Sequence, residues 1–425
     1  MSIIVTNSVV VTKEESLAYH EFPRAGKLCV ESTVPFTSQR DLALAYTPGV
    51  ANPCLEIQAD PENAFRYTSK SNLVAVISNG TAVLGLGDIG ALASKPVMEG
   101  KAILFKRFSA IDSFDIEVDE KDVDKFCAIV KAIAPTFGGI NLEDISAPSC
   151  FEIERRLIEE LDIPVMHDDQ HGTAIISSAG LINACEIMNK KLEDVKIVVV
   201  GAGAAAISCS RMYKSLGVKN IIMIDSKGVV HDERTDLNEY KKEFSSPKAM
   251  TKEEAFTGAD MVLGLSKPGT FTKEHVALMC EEPIVFALSN PTPELFPEEV
   301  LSVKPEAIVG TGRSDFNNQV NNVLGFPFIF RGALDVRATA INMEMKKAAA
   351  YAIANLAKKE LTQEVKDIFG EGIVFGKNYI IPKPFDKRLI IDVSSAVALA
   401  AVETGVSRIK DFNLEAYKLE LSEMV

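Results

Sequence analysis

Short apolar runs recur along the chain and alternate with amphipathic stretches of helical length. The β-branched segment from Asn72 to Leu86 predicts a pair of strands. LGLGDIG then leads into a helix over Pro96–Phe108, with Pro96 suited to a first helical position. FDIEV (114–118), GGINL (138–142) and IPVM (163–166) read as strands, separated by helical patterns at 123–137 and in FEIERRLIEEL. A further helix is predicted from Thr173 to Met188. The alternation then restarts: KIVVV (196–200) is a fully apolar run of the kind that fills a buried parallel strand. GAGAAA, a helix to Leu216 and NIIMID (220–225) follow, and MVLGL (261–265), PIVFAL (283–288) and AIVGT (307–311) continue the series. Past Asn322 the pattern turns helical, with one long alanine- and lysine-rich helix predicted over 334–359 and a closing one in KRLIIDVSSAVALAAVETG. The segment before Tyr46 is irregular apart from a short helix at Lys13–His20.

Strands alternating with helices specify an α/β fold with doubly wound parallel sheets. A length of 425 residues favours two domains over one core. The expected division is 1–165 for a first domain and 166–321 for a second, with 322–425 folding back onto the first.

Composition narrows the function classes. Hydrophobic residues at 47% and charged ones at 24% describe an ordinary globular chain. A formal net charge of −14 repels phosphate backbones, so nucleic acid is not an expected partner. An anionic small-molecule substrate would have to be held locally, by cations, backbone N–H groups or a metal. Met1–Asn7 carries no basic segment ahead of a long apolar run, so no secretory signal is expected. No stretch reaches the ~18 apolar residues of a membrane span. Seven cysteines without a CxxC pair read as reduced thiols of a cytoplasmic protein.

Gly201-Ala202-Gly203-Ala204-Ala205-Ala206 follows one β-run and opens a helix, which is the setting of a dinucleotide fingerprint. Gly201 permits the tight turn, Gly203 lets backbone approach a pyrophosphate, and Ala206 permits close helix–strand packing. Asp225 ends the next strand, where a carboxylate can accept from ribose hydroxyls. Asp225 favours NAD, whereas the neighbouring Ser226 and Lys227 could take the 2′-phosphate of NADP. Gly85-Leu86-Gly87-Asp88-Ile89-Gly90 matches the same spacing, but Asp88 would set an anion inside the cradle. It reads as a glycine-rich turn packed near the active site.

Glu143-Asp144 and Asp168-Asp169 each fall at the carboxyl end of a predicted parallel strand, the edge where ligands collect in open α/β sheets. Carboxylates converging there repel unless a cation neutralises them, and oxygen ligands select Mg²⁺ or Mn²⁺. Read singly, either pair is a helix cap with first-turn acids. His167 and His171 beside them keep zinc open. Lys101 shares a helical face with Val97, Met98 and Phe105, so desolvation is expected to lower its pKa toward that of a useful base. Read as a surface residue, it would simply snorkel. Tyr46, in the turn-forming string AYTPGV, is either a packing residue or a proton donor.

Taken together, AYTPGVA (45–51), LGLGDIGALASKPVMEGKAILF (84–105), INLEDI (140–145), HDDQHGTA (167–174), GAGAAA (201–206), LSNPTPE (288–294) and NNVLGFPFIF (321–330) resemble the malic enzyme family over nearly the whole chain. The length resembles its short, prokaryote-like form. The resemblance implies an amino-acid-dehydrogenase-like substrate and metal domain beside a Rossmann-like NAD(P) domain. It implies oxidative decarboxylation of malate to pyruvate and CO₂ with NAD or NADP and Mg²⁺ or Mn²⁺. By position in these strings, Tyr46 becomes the general acid and Lys101 the general base. Glu143, Asp144 and Asp169 become metal ligands, with Asp168 close by, and Asn290 and one of the NN pair contact substrate, Asn322 ahead of Asn321. Thr81-Ala82-Val83 stands where longer members place a substrate-binding arginine. A homodimer or a dimer-based homotetramer is implied as well. Rival readings are another two-domain dehydrogenase, or a non-catalytic dinucleotide sensor that leaves the acidic cluster idle.

Overall fold

β1 (Leu73–Ser78), β2 (Asp112–Glu117), β3 (Gly139–Leu142) and β4 (Val165–His167) form one sheet in the order β2-β1-β3-β4, with every pair parallel. The structure, a computed structural model, describes residues 11–424. β1 is buried along its whole length, which explains its unbroken apolar sequence. From β1 the chain crosses to β2 on one side and later to β3 on the other. The reversal leaves a crevice beyond the carboxyl ends of β1 and β3.

The second sheet repeats that logic. β5 (Lys196–Val200), β6 (Asn220–Asp225), β7 (Gly228–Val229), β8 (Met261–Gly264), β9 (Ile284–Ala287) and β10 (Ile308–Thr311) are ordered β10-β9-β8-β5-β6-β7. Only the β6–β7 hairpin is antiparallel. Here the winding reverses between β5 and β8, at the turn that carries Gly201. The helix Asp168–Ile187 packs against the helix Ala204–Ser215, which joins the two sheets' layers.

Three local expectations need correction. Asn72–Leu86 is not a strand pair: only β1 forms, and residues 80–90 close a loop in which the Ile89 and Gly90 N–H groups both donate to the Gly80 carbonyl. A Cβ on Gly80 would lie 2.2 Å from the Gly90 carbonyl oxygen, so this closure requires glycine. The next helix starts at Ala91, with Pro96 inside it. The long helix over 334–359 is two helices, Phe326–Asp335 and Met343–Leu356. Between them Arg337 takes a left-handed φ of 47°, and Asn342 caps the second helix by accepting from the Met345 N–H. Burying Val336, Ala338 and Ile341 overrides the helix propensity of the stretch.

The segment after Asn322 packs onto the first sheet's helix Ala91–Ser109. Phe105 meets Phe326 and Phe330 edge-to-face, with centroids 4.8 and 5.3 Å apart. Among the described residues, no helix is long and apolar enough to cross a membrane.

Candidate functional site

Lys101 projects from the helix Ala91–Ser109 on the same side as Met98 and Phe105, both fully buried. Its Nζ lies 2.7 Å from Asp168 Oδ2 and 2.9 Å from Glu143 Oε1, and 4.4 Å above the Phe326 ring. Burial disfavours the ammonium, but Asp168 and Glu143 outweigh it and hold the Lys101 pKa above its ordinary value. The expected depression is therefore reversed. The apolar helix face is real, but the groups that decide the charge come from β3 and β4, far along the chain.

Those groups converge because β3 and β4 are neighbours. Glu143-Asp144 follow β3 and Asp168-Asp169 follow β4, so adjacent strand ends bring all four carboxylates to one crevice. One oxygen each from Glu143, Asp144 and Asp169 lies within 4.8 Å of the others. The Asp144 N–H donates to Asp169 Oδ2 at 2.7 Å, and Asn141 donates to Glu143 Oε2 at 2.8 Å. Burial and the Asp169 charge push the Asp144 carboxyl up to about 7. Burial likewise raises Glu143 well above the carboxylate range, despite Lys101.

This is a fitting bed for a hard divalent cation. Asp144 Oδ2 is buried without a hydrogen-bond partner among the described residues. A cation would meet that vacant acceptor capacity and relieve the mutual repulsion. Neither imidazole joins the group. His171 Nε2 lies 2.9 Å from Glu154 and its Nδ1 3.2 Å from Ser208 Oγ, while His167 Nε2 stands 3.7 Å from Asp169. An all-oxygen set argues for Mg²⁺ or Mn²⁺ over zinc.

Asn322 reaches the same crevice. Its Nδ2 donates to Asp168 Oδ2 at 3.1 Å, and its Oδ1 accepts from Thr173 at 3.1 Å. Asn321 instead accepts from the Val323 N–H and caps a short 3₁₀ turn. Asn290 is exposed, wedged between two glycines: a Cβ on Gly85 would lie 2.9 Å from its carbonyl oxygen, and one on Gly312 would lie 2.7 Å from its Nδ2. The SNP loop of the second sheet thus abuts the LGLGD loop of the first. Asp88 points away, 2.6 Å from Lys121.

At the second sheet, Gly201 has φ +133°, and a Cβ there would sit 2.5 Å from the Leu265 carbonyl oxygen. Around Gly203 nothing lies within 4 Å of the Cβ position, an open cradle facing the first turn of the helix Ala204–Ser215. Neither Ala202, Ala204 nor Ala205 offers a side chain to cap that turn, so its N–H groups stay free for an anion. Ala206 is buried against the sheet.

Asp225 ends β6 with its carboxylate already engaged. Arg234 grips both oxygens at 2.8 and 2.9 Å, Lys241 adds a contact at 2.8 Å and the Lys227 N–H one at 2.9 Å. Burial would raise the carboxyl, but these donors bring it down to about 2.

Tyr46 has no hydrogen bond to any residue of the crevice among the described residues. It terminates the helix Gln39–Ala45, is 67% exposed, and its hydroxyl makes no hydrogen bond among the described residues. Conversely, Asn141 and Phe326 touch the cluster without having been singled out. Asn141 was legible, two residues before Glu143 on the same strand face. Phe326 carried no local signal.

The comparisons agree with this geometry. Residues 25–158 match the family model described as malic enzyme, N-terminal domain, and residues 170–369 match malic enzyme, NAD binding domain. The chain is 56% identical over 412 residues to the "Probable NADP-dependent malic enzyme" of Rickettsia prowazekii, covering 96% of this chain and 54% of that one. It is 55% identical over 400 residues to the "NADP-dependent malic enzyme" of Halomonas elongata, covering 93% and 95%. Among solved structures, the malic enzyme from Pyrococcus horikoshii Ot3 superposes with a TM-score of 0.88 at 43% identity, covering 97% of this chain and 96% of that one. The chain spans about half the length of several curated relatives it matches, the Rickettsia protein among them. It belongs to the malic enzyme family.

Proposed function

We propose that this chain oxidatively decarboxylates malate to pyruvate and CO₂ with a nicotinamide dinucleotide and a divalent metal ion. The observation that carries the reading is the contact of Lys101 with Asp168 and Glu143 at the lip of a buried all-oxygen cluster. A dinucleotide sensor would need no such cluster, and an amino-acid dehydrogenase would need no oxygen-only cation bed.

Glu143, Asp144 and Asp169 would hold Mg²⁺ or Mn²⁺. When bound, the cation supplies Lewis acidity at the substrate's C2 oxygen and the dinucleotide accepts the C2 hydride. Lys101 takes the C2 hydroxyl proton; it can do so once the carboxylates that hold its own proton are otherwise neutralised. Asn322 and Asn290 orient the substrate from two loops. Tyr46 donates a proton to C3 after CO₂ has left. One proton is released at the hydroxyl and one is consumed at C3, so Lys101 can return its proton to the Tyr46 phenolate, and the cycle closes.

Gly201–Ala206 would cradle the pyrophosphate. Arg234, Lys241 and Lys227 outnumber Asp225 and Asp236 by one positive charge at the ribose end, which supports NADP over NAD. Asp225 then acts by holding Arg234 and Lys241 in place. We take residues 1–165 with 322–425 as the substrate-binding part and 166–321 as the dinucleotide-binding part, and a homodimer or dimer-based tetramer as the assembly. Seven free thiols support a reducing, cytoplasmic setting. Cofactor reduction with malate, with each dinucleotide, with Mn²⁺ and with chelator tests the activity. Pyruvate and CO₂ should appear only with metal. Oxaloacetate accumulating alone, or no reduction at all, would refute the reading.

A further inference from the structure

Lys27 is fastened to the body of the chain, its N–H donating to Glu99 and its ammonium to the Pro96 carbonyl. Glu62 is fastened again, beside Arg408 at 3.3 Å. Between them, residues 28–61 form an arm whose hydrogen bonds, among the described residues, are all internal to the stretch 28–63. The helices Gln39–Ala45 and Ala51–Ala59 on this arm contain no buried residue. Their apolar side chains face solvent, among them Leu44 and Leu55 at 61% exposure. Residues 11–59 hold twelve of the 26 exposed large hydrophobic side chains among the described residues. An apolar surface of that extent marks a protein–protein contact.

A second apolar patch lies on the same chain at the mouth of the crevice. Leu84, Leu86 and Leu92 are 67%, 69% and 85% exposed. Leu84 is held outward in a left-handed conformation, φ 47°, that leucine rarely adopts. The loop that carries it is tied to the acidic cluster, because the Ala82 N–H donates to the Asp144 carbonyl at 3.0 Å. One chain therefore has an unpaired arm and an unpaired apolar rim at its own active site. Two patches on one chain that can each cover the other's counterpart are what a two-fold pair of copies requires.

Chemistry names the occupant. Lys101 and Tyr46 must exchange a proton, yet Lys101 is buried in the crevice between Asp168 and the Phe326 ring while Tyr46 stands on the arm, 67% exposed. We propose that the arm docks on a second copy of this chain, over its Leu84, Leu86 and Leu92, and delivers Tyr46 to that copy's Lys101. Each active site is thereby built from two chains. The inference rests on the proposed function in one respect, the role of Tyr46 as proton donor.

The test is complementation in purified heterodimers, obtained by co-expressing two differently tagged chains and selecting both tags. Tyr46→Phe and Lys101→Ala homodimers are first shown to be inactive; a fully active Tyr46→Phe homodimer would refute the proton-donor reading and the inference with it. With both inactive, the Tyr46→Phe/Lys101→Ala heterodimer has one complete site if the sites are shared, and recovers about half of wild-type turnover per dimer. The mirror pairing, wild type with the Tyr46→Phe, Lys101→Ala double variant, has no complete site and stays inactive. The reverse result, a dead first pairing and a half-active mirror pairing, would overturn shared sites while leaving the proposed function intact. A wild-type chain that sediments as a monomer would also overturn them.

Discussion

Beyond β3 and β4, four carboxylates share a single lysine; beyond β6, two carboxylates, Asp225 and Asp236, are shared by three cations, Arg234, Lys241 and Lys227. The first cluster has excess negative charge under low solvent access, and its Glu143 and Asp144 resist ionisation. The second has excess positive charge, and its Asp225 carboxyl is held far below the usual range. Both lie at carboxyl edges of parallel sheets, where backbone geometry alone does not choose the ligand. Side-chain charge makes the choice: one edge is prepared for a cation, the other for an anion.

The most severe way to break the comparison is at the lysine that the two strand ends share. Lys101→Ala is expected to lower kcat by about 10³-fold, the scale of a lost proton-transfer group. Fluorescence titration should give the same dinucleotide affinity, because the glycine turn lies on the other sheet. Comparable residual turnover would remove Lys101 from the chemistry.

Asp169→Asn should weaken Mn²⁺ by about 100-fold, consistent with losing the anionic charge of one ligand while an amide oxygen can still accept from the Asp144 N–H. Calorimetric titration reads this directly, and unchanged affinity would place the cation elsewhere.

The anion edge divides into two glycines with different duties. Gly201→Ala forces a side chain into a φ of +133° against the Leu265 carbonyl and should cost about 1–3 kcal/mol of stability. Gly203→Ala meets open space, so its Tm should stay near wild type while dinucleotide KM rises. Equal melting of the two variants would contradict the packing described for Gly201.

Arg234→Ala should raise KM for NADP by about 10-fold, roughly 1.4 kcal/mol, with a smaller change for NAD. An equal rise for both would mean that Arg234 only braces Asp225.

The smallest effect is on pH. The Asp144 carboxyl titrates near 7 when folded, above its unfolded value of about 3.9. The folded chain therefore binds this proton more tightly. The stability it contributes is complete below about pH 4 and is lost as pH rises through 7. Chelator-treated protein should melt a few degrees higher at about pH 5.5 than at about pH 8, and Asp144→Asn should flatten that slope. A slope unchanged in the variant would assign the effect to other groups.

What could be read in advance was what short stretches decide. KIVVV followed by GAGAAA fixes a strand, a turn and a helix within eleven residues of chain, and the acidic pairs are visible because each ends a strand. The protonation of Lys101 was misjudged because Asp168, 67 residues away, sets it. Arg234 and Lys241 reach Asp225 from an irregular segment with no periodicity to flag them. The break at 336–342 was hidden because burial, not propensity, makes it. Tyr46 sits in a recognisable turn, yet no local pattern says what that turn packs against.

Titrating Mn²⁺ and following the free ion by electron paramagnetic resonance tests the cation edge most directly. The wild-type chain should bind one Mn²⁺ per polypeptide, and a Glu143→Gln, Asp169→Asn double variant that still folds should bind none over the same range. A double variant that titrates like wild type would show that the buried carboxylates hold no metal.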